Sequence, residues 1–178
     1  MEVFILEPVT VKKNSILRNI VFVLILAIGF GIVVMTHGAK TEMSEVKVYF
    51  VDAEMMRLIP VKTSIPKANT ERMAQKILDE LISGHDDNPK IRRLIPKIEN
   101  CMSVNVVGEI AYVDIKSEMT DGHPDGRDLE LLTVYSIVNS LTGIDGITNV
   151  RFTIDGKVQR DFKGHLDMRE TFIPDYFM

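Results

Sequence analysis

The sequence has a single cysteine, Cys101, and no tryptophan. One thiol cannot close an intrachain disulfide, so the fold must stand on packing alone, which a segment of about 130 residues can supply. It also lacks the glycine patterns G-x-x-x-x-G-K-[ST] and G-x-G-x-x-G, so nothing supports nucleotide use. Cationic excess is missing too. Residues 41–178 carry 17 Lys and Arg against 23 Asp and Glu, a formal charge of −6. Such a surface is short of the cations that displace counterions from phosphate, which argues against nucleic acid as a partner. It gives no reason to expect adhesion to an acidic wall polymer either.

What the sequence does have is one long uncharged run. Asn19 to Thr36 reads NIVFVLILAIGFGIVVMT. As a helix these residues would span about 27 Å, close to the thickness of a hydrocarbon core of about 30 Å. Lys12, Lys13 and Arg18 precede the run, and Lys40 is the only nearby cation after it. The positive-inside rule then puts residues 1–18 in the cytoplasm as a tail, 19–36 across the membrane, and everything after them outside. A cleaved signal peptide fits less well. His37 occupies the position three residues before the bond after Ala39, where a small residue is wanted. A lipid anchor would need a cysteine just after the run, and Cys101 is far away.

Residues 37–45 read as a linker. The stretch VKVYFVD, Val46 to Asp52, reads as a strand with Val46, Val48 and Phe50 on one face. Tyr49 and Val51 make its other face apolar enough to be covered. LIPVKTSI, Leu58 to Ile65, is its expected partner, and Pro60 places that strand at an edge or a bulge. Asn69 or Thr70 caps a helix with Met73, Ile77, Leu78, Leu81 and Ile82 inward, stopped by Ser83-Gly84. Residues 85–90 form a loop, and Leu94-Ile95-Pro96 packs without regular structure. Met102–Val107 and Ile110–Lys116 flank Gly108-Glu109, a two-residue hairpin signal. A polar loop, 118–127, leads to a second helix capped by Asp128, with Leu131, Val134, Tyr135, Val138 and Leu141 in its stripe. Val150, Phe152 and Ile154 alternate as a strand, and Asp155-Gly156 turns the chain into a last short strand near Val158. The expected class is α+β, a mixed β-sheet with two helices packed on it in the order β-β-α-β-β-α-β-β, preceded by one N-terminal transmembrane helix. The folded domain covers 46–172, and 173–178 reads as a C-terminal tail.

VKVYFVDAE at Val46, ILDELISG at Ile77, AYVDIKSEM at Ala111, ELLTVYSIVNSL at Glu130, VRFTIDGK at Val150 and GHLDMRETF at Gly164 form a set. Together they resemble the GerMN domain of GerM-type sporulation and spore germination proteins. The resemblance implies a non-enzymatic extracytoplasmic α+β module of endospore-forming bacteria, similar to the ring-building modules of secretion-type assemblies. This sequence carries one copy of the domain behind an apolar run, whereas the family's namesake looks like a lipoprotein with two copies in tandem.

Asp121, His123, Asp125 and Gly126 resemble the start of a calcium loop, but His123 is a nitrogen donor, Pro124 stiffens the turn, and the twelfth position is Leu132 rather than a carboxylate. His85, His123 and His165 lack the local spacing of zinc ligands. Cys101 has no glycine elbow or helix start to activate it. Asp114 and Glu118 could form a glycosidase pair only with a cleft and a raised pKa, and Asp114 is expected instead to bond the backbone at Ser117. Met55-Met56 could leave an apolar patch exposed. The expectation is therefore no catalytic, cofactor or metal site, and a single-pass membrane protein that works by contact with envelope proteins or with itself. Confinement to one plane raises effective concentration, and head-to-tail contact could close a ring. The contact would use an exposed sheet edge or helix face, and the edge from Arg57 to Ile65 is a candidate surface. The alternative is a ligand-binding module for wall fragments or a germinant, which would need an apolar pocket beside Asp121–Asp128.

Overall fold

The computed structural model describes residues 18–26 and 41–178. Residues 18–26 form a helix, α1, and its Ile20, Val21, Phe22, Val23, Leu24, Ile25 and Leu26 are all about half exposed or more. Among the described residues no helix is long and apolar enough to cross a membrane, and residues 27–36 of the uncharged run lie outside them.

The unit from Glu42 to Met178 is α+β. Strand β1 (Met43–Asp52) pairs antiparallel with β2 (Leu58–Pro66), and its last two residues pair with β3 (Ile91–Arg92). This gives a sheet of order β2-β1-β3. The second sheet has the order β4-β5-β6, from Met102–Val107, Ile110–Ile115 and Asn149–Ile154. The β4–β5 hairpin is antiparallel and β5–β6 is parallel. Parallel neighbours need a crossover. Here it carries α3 (Ser117–Gly122) and α4 (Arg127–Leu141), while α2 (Thr70–Ser83) joins the two sheets in sequence.

The expected single mixed sheet is thus two sheets, and hydrogen bonding gives the reason. Helix α2 takes up the outer edge of β4: the Gln75 amide donates to the Met102 carbonyl at 3.2 Å and its oxygen accepts from Val104 N–H at 3.2 Å. The Glu71 carboxylate accepts from Val106 N–H at 3.0 Å. Helix α4 does the same for β1, where Ser140 Oγ accepts from Tyr49 N–H at 2.8 Å. These helix side chains satisfy the edge of β4 and the Tyr49 stretch of β1 without another strand, so the two sheets do not join there.

Local chemistry sets the element ends. Asn69 caps α2, accepting from Arg72 N–H at 3.0 Å, and Gly84 ends it at φ +62. The Gly108-Glu109 turn closes β4–β5, and Asp155-Gly156 turns with positive φ at both residues. Three local expectations fail. Gly126, not Asp128, caps α4, and Asp128 lies in its first turn. The 118–127 segment is helical up to Gly122 because Met119 and Thr120 are drawn into the core. No strand forms near Val158, which is 54% exposed; the turn brings only Lys157 back to Ile154, and Phe172 pairs with Val150 instead.

One core joins both sheets and the three helices of this unit, from Val48 and Phe50 through Ile77, Ile137 and Val138 to Val113 and Phe152. A smaller cluster of Val51, Leu58, Leu94 and Leu132 covers the other face of β1, as its apolar alternate residues require. Helix α4 contributes to both clusters and is buried nearly all round, including Glu130, Thr133, Ser136, Asn139 and Ser140. The single apolar stripe read from the sequence captures only one side of a helix that is central rather than peripheral.

Candidate functional site

Two regions concentrate polar groups. The first lies at the start of α4. Glu130 is fully buried, and its carboxylate accepts from His165 Nδ1 at 2.7 Å, from His165 N–H at 3.2 Å and from Leu166 N–H at 3.3 Å. One turn along α4, Thr133 Oγ1 bonds His123 Nε2 at 2.8 Å. The His123 ring stands edge-on to Phe162, with centroids 5.1 Å apart, and its Nδ1 has no hydrogen-bond partner among the described residues. Burial lowers the His123 pKa from the ordinary histidine value, with the Lys163 ammonium adding to the effect. Lys163 also pairs with Asp125 at 3.0 Å and donates to the His123 carbonyl.

This arrangement takes the calcium-like motif apart. Asp121 belongs to α3, His123 turns inward and Asp125 turns out to Lys163, while Leu132 is buried in the smaller cluster. Beside the Asp121–Asp128 segment the His123 ring packs against Phe162. Glu130 is the residue that sequence reasoning missed. It sits in a helical stretch with apolar neighbours, and nothing local reveals that its carboxylate clamps a loop 35 residues away.

The other candidates are held by neighbours. His85 packs edge-on to Phe50 at 4.9 Å, and Glu80 lies 3.6 Å from its Nε2, too far for a hydrogen bond. A cavity of about 30 Å³ beside it, lined by Tyr49, Thr133 and Ser136, has room for little more than a water. Cys101 is buried, and burial raises its thiol pKa, away from the thiolate a nucleophile needs. Burial tends to raise the Asp114 carboxyl, but bonds from Thr153 Oγ1 at 2.7 Å and Gly156 N–H at 2.6 Å, with Lys116 nearby, hold it below the usual range. A general acid needs the opposite shift. It is Asp155, not Asp114, that accepts from Ser117 N–H, at 3.3 Å. Met55 is exposed, whereas Met56 packs on the smaller cluster. Among the described residues no three His, Cys, Asp or Glu side chains gather as a metal would need.

The second region is the outer border of the β2-β1-β3 sheet. Tyr49 turns its N–H to Ser140, so in the Tyr49–Pro60 pair the main-chain groups point away from one another. Alternation then turns Leu58, Pro60, Lys62, Ser64 and Pro66 outward along β2. Two of these are prolines with no N–H to offer, and Leu58 N–H is already bonded to the Met178 carbonyl at 3.1 Å. The Arg57–Ile65 edge named from the sequence is therefore poorly suited to pairing with another strand. On the other side of β1, Glu45 and Lys47 turn outward by the same alternation, beyond the reach of β3. A groove of about 500 Å³ follows that edge, lined by Glu45, Lys47, Tyr49, Gly143 and Tyr176. A second hollow of about 440 Å³ shares Glu45, Val46 and Gly143 with it.

The family model described as Germane, sporulation and spore germination, matches residues 47–160. No curated protein matches the chain. Among solved structures, a candidate lipoprotein from Clostridium perfringens is similar at TM-score 0.54 and 19% identity, over 76% of this chain and 91% of the other. The tandem GerMN domains of the sporulation protein GerM from Bacillus subtilis are similar at TM-score 0.54 and 19% identity, over 70% of this chain. This chain spans only 43% of that tandem protein. The first GerMN domain of the same protein gives TM-score 0.50 at 19% identity, over 68% and 90%.

Proposed function

From the premise that this chain belongs to the Germane family of sporulation and spore germination proteins, with a GerMN-type domain, we propose that it is a membrane-anchored extracytoplasmic module that acts by protein contact. The uncharged run 19–36 is the anchor, with residues 1–18 in the cytoplasm and the GerMN-type domain outside. The surface of α1 supports this. Its apolar side chains from Ile20 to Leu26 are exposed in succession round the helix. Lipid is the solvent in which such an all-round apolar surface is stable.

The head offers shape rather than reactivity. Its polar side chains serve its own frame: Glu71, Gln75 and Ser140 close strand edges, and Glu130 ties down a loop. The observation that carries the reading is the contrast between these closed edges and the open border of β1. Held in one plane by their anchors, such heads meet laterally at a raised effective concentration. The role fits an assembly component in sporulation or germination.

Chemical crosslinking of membranes from cells that are forming spores tests this. The expected result is adducts of the full-length chain larger than the monomer. Recovery of the monomer alone, at every stage and crosslinker length, would contradict the reading.

A further inference from the structure

We infer that the open border of β1 is where two copies of this chain pair, strand to strand, about a two-fold axis at Val46. The inference rests on the contact reading above and names its partner and surface. Glu45 and Lys47 are the outward residues of this border, and among the described residues no backbone group bonds to them there. An antiparallel copy centred on Val46 puts Glu45 of one chain opposite Lys47 of the other, and the reverse. Both residues have outward main-chain groups, so each such pair is of the kind that exchanges both N–H···O bonds.

Charge favours the same register. Within one chain Lys47 lies directly across from Lys62, a like-charge pair that weakens a sheet. Glu45 reaches Lys62 at 2.7 Å, and among the described residues no carboxylate pairs with Lys47. The second copy brings its Glu45 against Lys47, so each carboxylate is shared between its own Lys62 and the other chain's Lys47, and Lys47 gains the opposite charge it lacks in one chain. The β2 border cannot substitute, since Pro60 and Pro66 interrupt its donors. A two-fold contact uses the same patch on both copies and makes pairs; a ring would need a further surface.

The test uses the full-length chain in detergent, with association followed by sedimentation. Wild type should self-associate, and Lys47→Glu should weaken association by about tenfold or more, because two attractions become two repulsions. Lys47→Glu puts a carboxylate opposite Lys62, so loss of folding does not explain such a result. The double swap Glu45→Lys with Lys47→Glu should restore association, and Glu45→Cys with Lys47→Cys should oxidise to a covalent dimer. Association unchanged by either single swap would overturn the pairing while leaving the contact reading intact. A monomeric wild type whose position 47 crosslinks to a different envelope protein would overturn the second copy as occupant. A monomeric wild type that crosslinks to nothing would remove both.

Discussion

Glu130 is the most exacting test of how the head is built. Its carboxylate is fully buried and holds His165 and Leu166 through three bonds, of 2.7, 3.2 and 3.3 Å. Removing a buried acceptor costs about 1–3 kcal/mol for each donor left without its partner. His165 is 48% exposed and two of the bonds are long, so the lower end applies to each of the three: Glu130→Ala should cost about 3 kcal/mol. Glu130→Gln keeps an oxygen for the two backbone donors and should cost about 1 kcal/mol. Against a typical total of about 5–15 kcal/mol, the first loss is large, roughly 10 °C in melting temperature for a unit of this size. Urea unfolding of the full-length chain and both variants, followed by circular dichroism, measures it. A Glu130→Ala cost below about 1 kcal/mol would refute the clamp, as would Glu130→Gln being the worse of the two.

Acid should act on the head in two stages. The folded-state pKa of His123 lies below its unfolded value, so below about pH 6.5 the unfolded chain binds a proton that the folded chain refuses, and stability falls as pH falls. His123→Gln should remove the fall in stability that begins below about pH 6.5, leaving the later loss that sets in near pH 4 as carboxylates such as Asp114 are protonated. At Gly84 a Cβ would stand 2.5 Å from the Arg93 guanidinium, which donates to the Ile82 and Ser83 carbonyls at the end of α2. With φ at +62 as well, Gly84→Ala should cost about 1–2 kcal/mol in the same unfolding assay. Asn139 accepts from Asp175 N–H at 2.9 Å and donates to its carbonyl at 2.6 Å, so Asn139→Ala should release residues 173–178 to rapid hydrogen exchange while the β4–β5 hairpin stays protected.

Features decided by a few adjacent residues were legible in the sequence. The Asn69 cap, the Gly84 stop, the Gly108-Glu109 hairpin and the Asp155-Gly156 turn each follow from backbone preferences of the residues themselves. Pro60 correctly marks β2 as a border strand. The split into two sheets was not legible, because it depends on Glu71, Gln75 and Ser140 reaching strands 27 to 91 positions away. Asp128 drew attention as a cap by its type, but the chain enters α4 through Gly126. The burial of Glu130 and Asn139 was not legible for a similar reason: distant segments supply their partners.

The account turns on the head standing outside the cytoplasm. Val107 lies beside the β4–β5 turn and is 60% exposed, while Cys101 is buried and resists labelling. A Val107→Cys chain can therefore be treated, in intact cells, with a maleimide that does not cross membranes. Labelling before lysis, at the level reached after lysis, is the predicted result. Labelling that appears only once the cells are broken would place the head in the cytoplasm and contradict the account.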